Sequence, residues 1–215
     1  MSFVDDDSRA SAIAEAANGV FDEVLFVKES PADISAFLIA ASALPVLDGV
    51  PLFLTDTARD PAVLESAAAA RDRFEQVRGT APARPSGPTF DALAVAYAAR
   101  HGAAGFDTFA YTAQSHDAAW LVCMGHAWGL YQHDEVSGFR IAQGLRRASL
   151  GQDVSLRASS WNLLKAAFKV GSSVDVEGAS GVLDYDVAGE TTAPVEVWTI
   201  TAGGDDFESQ EVYLP

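Results

Sequence analysis

The chain has 215 residues, 49% of them hydrophobic and 20% charged, so it is long enough to bury a sizeable core and is not globally disordered. Its 30 acidic residues against 14 basic ones give a formal net charge of -16, a surface that repels phosphate backbones and argues against nucleic-acid partners. Cys123 is the only cysteine, which excludes an intramolecular disulfide and a cysteine-based zinc cluster.

In chain order, Ile13, Ala14 and Ala17 at helical spacing predict a helix over residues 8–18, stopped by Gly19. The N-terminal residues carry no basic segment followed by an apolar one, so no secretion signal is expected in this chain. Val24-Leu25-Phe26-Val27 is short and wholly apolar, which predicts a strand covered on both faces. Asp33 is expected to cap a helix holding Ile34, Phe37, Leu38, Ala41 and Leu44. Val50-Pro51-Leu52-Phe53-Leu54 predicts a second buried strand, with the proline near its start where a missing donor is tolerated. Asp60 and Pro61 then fit the cap and first position of an alanine-rich helix running to about Ala70. Strand, helix, strand, helix with short connections is the signature of a parallel α/β sheet flanked by helices.

The pattern changes after Phe74. Ala81-Pro82-Ala83-Arg84-Pro85-Ser86-Gly87-Pro88 is a stiff polar connection, and four helical patterns follow: 89–100, 115–131, 137–149 and 159–170. The run from Ala118 to Met124 is apolar around the whole helix and is expected in the interior. Strands return at 181–186, at 195–200, where alternation implies one solvated face, and at 212–214. No apolar run is long enough to cross a bilayer.

Three stretches in order resemble the type I periplasmic (solute-)binding proteins of ABC transporters, the family of leucine/isoleucine/valine-binding proteins. Phe21–Val27 with its helix, then Val50–Asp56 and Asp60-Pro61, is similar to the family's second-lobe unit. Tyr111–Leu121 resembles its a-x-x-Y-D-A-x-x-L helix entry, with His116 where tyrosine is commoner. Gly178–Glu190 is similar to its late G-x-x-G hairpin ending in F-D-x-x-G-(D/E). The residues support that hairpin by themselves: Gly178 and Gly181 permit unusual backbone angles, Asp186 can bond turn amides, and Gly189 suits a left-handed position.

The family's first-lobe strands have no counterpart here. The resemblance therefore implies most of the second lobe over residues 1–75 and 195–215, and the returning, mainly helical part of the first lobe over 76–194. It implies a binder rather than an enzyme, with no cofactor: a small polar ligand, an amino acid or related amide, held by lobe closure and passed to an ABC transporter permease in the periplasm or an equivalent extracytoplasmic compartment. Ligand contacts are expected at Lys28, Glu29 and Ser30 after the first strand and at Thr55, Asp56 and Thr57 after the second, because loops at the carboxyl ends of parallel strands line the cleft. Asp56 would meet a ligand ammonium. The plainer alternative is that these residues turn the chain and cap the next helix.

A second reading is a truncated or divergent copy acting as an assembly or interaction module without a ligand. The helices around Trp120 and Leu163 have apolar faces broader than one neighbour covers, so a second copy, favoured here, a separate first-lobe partner, or repacking against the chain's own strands is expected to cover them. A third reading, a metal-dependent enzyme centred on Cys123 and His126, lacks enough ligands of its own; His133 with Asp134 or Glu135 would have to be brought in by the fold. Ser180 lacks the glycine two residues on that a nucleophile elbow requires. No metal site and no catalytic residue are therefore assigned.

Overall fold

The structure is a computed structural model that describes residue 15, residues 19–102, residue 106 and residues 111–214. The helix expected over 8–18 falls outside that set but for Glu15. The chain divides into two compact units. One takes the described residues up to Ala83 together with Pro194–Leu214, and the other is Arg84–Ala193.

The first unit is a five-stranded mixed sheet in the order β1-β2-β3-β6-β7. Here β1 is Val24–Phe26, β2 Leu52–Leu54, β3 Val77–Pro82, β6 Val195–Ile200 and β7 Phe207–Tyr213. The first three run parallel, and β6 and β7 are antiparallel to their neighbours. Helix α1 (Pro31–Ser42) connects β1 to β2; α2 (Pro61–Ser66) and a 3₁₀ segment (Ala68–Gln76) connect β2 to β3. Strand order follows chain order, so crossovers of one hand place both helical layers on the same face. The buried residues agree: Phe26, Leu52, Leu54, Val77, Ala81 and Trp198 share one face and pack with Ile34, Phe37, Leu38, Val63 and Phe74.

The opposite face is open, which corrects the expectation that β1 is covered on both sides. Leu25 is 66% exposed, and Phe53 is only half-buried, beneath the guanidinium of Arg78. Both helices start on designed caps. Ser30, rather than Asp33, is the N-cap of α1, accepting from Asp33 N at 3.4 Å, with Pro31 at the first position. Asp60 caps α2 through Ala62 N at 2.8 Å.

Residues 76–83, expected in the second segment, belong to the first unit because Val77–Pro82 is a strand. Its inward side chains are small for a reason. Gly79 pairs with Trp198 across the β3–β6 ladder, and a Cβ at Gly79 would lie 2.4 Å from the indole and 2.6 Å from Leu54 O. Trp198 is fully buried there and meets Phe207 edge-on at 5.3 Å.

The second unit holds helices α3 (Pro88–His101), α4 (Thr112–His133), α5 (Gly138–Leu145) and α6 (Trp161–Lys169) with strands β4 (Gln152–Ser155) and β5 (Val174–Glu177), which pair in parallel. Its core joins Leu121, Met124 and Trp128 of α4 to Leu164 and Phe168 of α6 and to Val154, Val174 and Val176 of the strands. Neither short strand was expected. Conversely, the strand expected over 181–186 is reduced to a single bridge between Glu177 and Val182. The expectation that Ala118–Met124 lies wholly inside also fails. Leu121 and Met124 are buried, but Ala118, Ala119, Val122 and Cys123 are exposed, since only one side of α4 has a packed neighbour. Among the described residues no helix is long and apolar enough to cross a membrane.

Two tests follow from this packing. Gly79→Ala is expected to lower stability by about 1–3 kcal/mol, because backbone as well as side chain must give way; a lower urea midpoint checks it, and an unchanged midpoint would show that Trp198 moves freely. The second concerns charge. Asp175 stands across the ladder from Asp153, and burial, then the charges of Asp184 and Asp153, raise its pKa. A raised folded-state pKa contributes stability below the unfolded value of about 3.9 that is lost as pH rises through the folded value. Asp175→Asn should therefore stabilise the protein at pH 7, by about 0.5 kcal/mol, and the advantage should vanish below about pH 4. Thermal melts at the two pH values decide it.

Candidate functional site

The carboxyl ends of β1 and β2 bring the two predicted loops side by side. Leu25 and Phe26 register with Phe53 and Leu54, so the residues that follow, Lys28–Ser30 and Thr55–Thr57, leave the sheet at the same edge. Thr55 Oγ1 donates to Lys28 O at 3.5 Å, a direct bond between the loops. Several of these side chains already have partners. Ser30 is occupied in capping α1, and Lys28 Nζ lies 3.5 Å from Asp33 in the first turn of that helix. Glu29 is exposed. Asp56 and Thr57 are half-buried and open a 3₁₀ turn, Asp56–Ala58, whose backbone bond runs from Arg59 N to Asp56 O.

At the same edge the fold adds two charged residues that local sequence patterns do not mark. Ala81 near the end of β3 registers with Glu196 near the start of the antiparallel β6. Glu196 is 2% exposed, and Arg59 Nε lies 3.0 Å from its Oε1. The two atoms are close but not aligned as a hydrogen bond, and among the described residues neither has another hydrogen-bond partner. Mutual charge holds the pair, and both groups keep unfilled hydrogen-bonding capacity. In the sequence Arg59 reads as the residue before a helix cap and Glu196 as one position in an alternating strand.

In the second unit the helix-entry and hairpin motifs meet. Asp117, 1% exposed in the first turns of α4, accepts from Ala179 N at 2.9 Å and from both Ser180 N and Ser180 Oγ at 2.6 Å. Gly178 permits this approach, since a Cβ there would lie 2.2 Å from Asp117 Oδ2; close contact, not an unusual backbone angle, is its requirement. The unusual angle belongs to Gly181, at φ 122°. His116 Nδ1 is 2.9 Å from Asp117 Oδ1, and Trp120 Nε1 donates to His116 Nε2 at 3.1 Å. An indole only donates, so Nε2 accepts and the ring proton sits on Nδ1. The imidazole reaches the carboxylate and not Ser180, whose hydroxyl donates to Asp117 itself, so the three residues are not in the serine–imidazole–carboxylate order of a nucleophile triad, and the network reads as a structural lock.

Further along the hairpin, Asp186 accepts from Ala188 N at 2.8 Å and Glu190 N at 2.9 Å, around Gly189 at φ 88°. Those amides, Glu190's first, hold its carboxyl below the usual range, with help from the charge of Arg146. Cys123 and His126 both lie exposed on α4, and among the described residues no group of three or more His, Cys, Asp or Glu is placed to hold a metal ion. No protein-family model matches this sequence and no curated protein shows significant similarity to it.

Asp117→Ala is expected to cost about 3 kcal/mol, because buried amides of the hairpin lose their acceptor, whereas Ser180→Ala should cost about 1 kcal/mol. Amide hydrogen exchange at Ala179 and Ser180 checks the difference: strong acceleration in the first variant, slight in the second. Equal acceleration in both would mean that the hydroxyl, not the backbone, anchors the hairpin.

Proposed function

We propose that this chain is a small-molecule binder of the type I solute-binding class, carrying a second-lobe unit and the returning part of a first lobe. The ligand is a small polar molecule, an amino acid or related amide, delivered to an ABC transporter permease from the periplasm or an equivalent extracytoplasmic compartment. The observation that supports this most is the pair of bonded loops at the carboxyl ends of adjacent parallel strands, the place where open α/β sheets bind ligands. The chain's organisation adds to it: one unit is begun by the residues up to Ala83 and completed by Pro194–Leu214, with the other unit between. Two covalent connections at such a junction suit a hinge. The mechanism is lobe closure, in which the ligand's extra contacts in the closed state shift the equilibrium toward it. No covalent step is involved.

Within this reading Asp56 receives the ligand's ammonium, and Thr57 and Glu29 supply further polar contacts, while Lys28, Ser30 and Thr55 shape the loops. The exposed apolar residues Val122 and Leu130 on α4 and Leu163 on α6 favour one alternative, an interaction module that pairs with a second copy or a separate first-lobe partner.

Titration calorimetry of the full chain against amino acids and their amides tests the leading reading. A saturable ligand is expected, and Asp56→Ala should weaken it at least about tenfold, the loss typical of a charge-assisted hydrogen bond. Unchanged affinity in that variant removes Asp56 from the site. No binding across the panel, together with a dimer in sedimentation velocity, favours the interaction module.

A further inference from the structure

A cavity of about 300 Å³ lies wholly within the Arg84–Ala193 unit. Helix α3 contributes Tyr97 and Arg100, α4 contributes His116 and Trp120, and the segment after β4 contributes Arg157. Its charge is opposite to that of the molecule. In a chain with 30 acidic and 14 basic residues, this lining holds two arginines and no carboxylate.

Arg157 is the decisive residue. Its Nε is buried without a hydrogen-bond partner, and among the described residues its guanidinium makes neither a hydrogen bond nor an ion pair. Arg157 is itself half-buried and lines the cavity, so its unpaired guanidinium offers donors to an acceptor that the chain does not supply. The polar atoms of Trp120 and His116 are already used. Trp120 Nε1 is bonded to His116, and His116 Nδ1 to Asp117. The indole of Trp120, braced edge-on by Trp161 at 5.8 Å, therefore presents carbon surface to the cavity, and the Tyr97 ring lines it as well. A planar guanidinium matches a carboxylate in a two-bond fork, and aromatic walls match a flat apolar body. A volume at the low end for ligand sites limits that body to about one ring.

We infer that this cavity is a binding site for a small aromatic carboxylate, its acid group on Arg157 with support from Arg100, and its ring between Tyr97 and Trp120. The site is independent of the proposed amino-acid cleft and stands or falls separately.

Benzoate is the probe and benzamide, the same shape without the charge, is its control, each titrated into the full chain by calorimetry up to about 10 mM. Saturable benzoate binding is expected, with benzamide at least about tenfold weaker. Arg157→Met keeps the apolar stem and should weaken benzoate at least about tenfold; Arg157→Lys should retain part of the affinity. Arg100 is exposed, so Arg100→Gln should fold normally and weaken benzoate by about threefold to tenfold, which serves if the Arg157 variants do not fold. Absence of saturable benzoate binding, equal affinity for benzamide, or undiminished affinity in folded Arg157→Met or Arg100→Gln overturns the inference.

Discussion

The first unit depends on the seat of Trp198 over Gly79. The sheet that begins at Val24 is completed by a strand from the far end of the sequence, and that strand must find β3 although the whole second unit lies between them in sequence. Closing so long a loop costs entropy that only a large burial offsets. Trp198 supplies it: a whole indole, fully buried, fitted where the partner strand has no side chain. Sliding β6 by one residue would turn the indole to the open face and bring Val197 inward, so this one contact also fixes the register. Glu196 is thereby carried to the carboxyl edge of the parallel strands, where it meets Arg59.

Asp117 has the corresponding role in the second unit. A carboxylate buried to this degree is tolerable only when its lone pairs are filled, and here the backbone and hydroxyl of the 178–181 turn fill most of them. The turn is thus held to α4 by hydrogen bonds at a place where it has little apolar surface to bury. His116 and Trp120 extend the same chain of bonds outward, which fixes the orientation of the indole. A ring so held keeps one face available at little entropic cost, the condition an aromatic binding wall needs.

Much of this was legible in the sequence, and the failures have physical causes. The helices were readable because their starts carry Ser30-Pro31 and Asp60-Pro61, although Asp33, an equally good capping type three residues on, obscured the true first cap. Strand β3 was hidden because its inward positions are Val77, Gly79 and Ala81, residues chosen to admit Trp198 and too small to give an apolar alternation. Strand β5, by contrast, alternates cleanly as Val-Asp-Val-Glu, a signal present but outweighed by the helices around it. The two candidate loops could be located from strand ends alone. Arg59 and Glu196 could not, since a pair made by tertiary pairing leaves no local pattern.

The distribution of satisfied and unsatisfied groups narrows the recognition edge. Of the six loop residues, Ser30 and Thr55 have bonds within the loops and Lys28 has a carboxylate neighbour, so drawing any of them to a ligand would forfeit an existing contact. Arg59 and Glu196 differ: their charges balance, yet their facing atoms are misaligned and otherwise unpartnered. In the proposed cleft, a polar ligand that reached this pair would gain by completing it, because hydrogen bonds added to a buried charge are stronger than those to neutral groups. On that reading the arrangement would discriminate as well as bind. A zwitterion can offer an acceptor to the arginine and a donor to the glutamate together, whereas a simple anion or cation satisfies one and leaves the other buried without help.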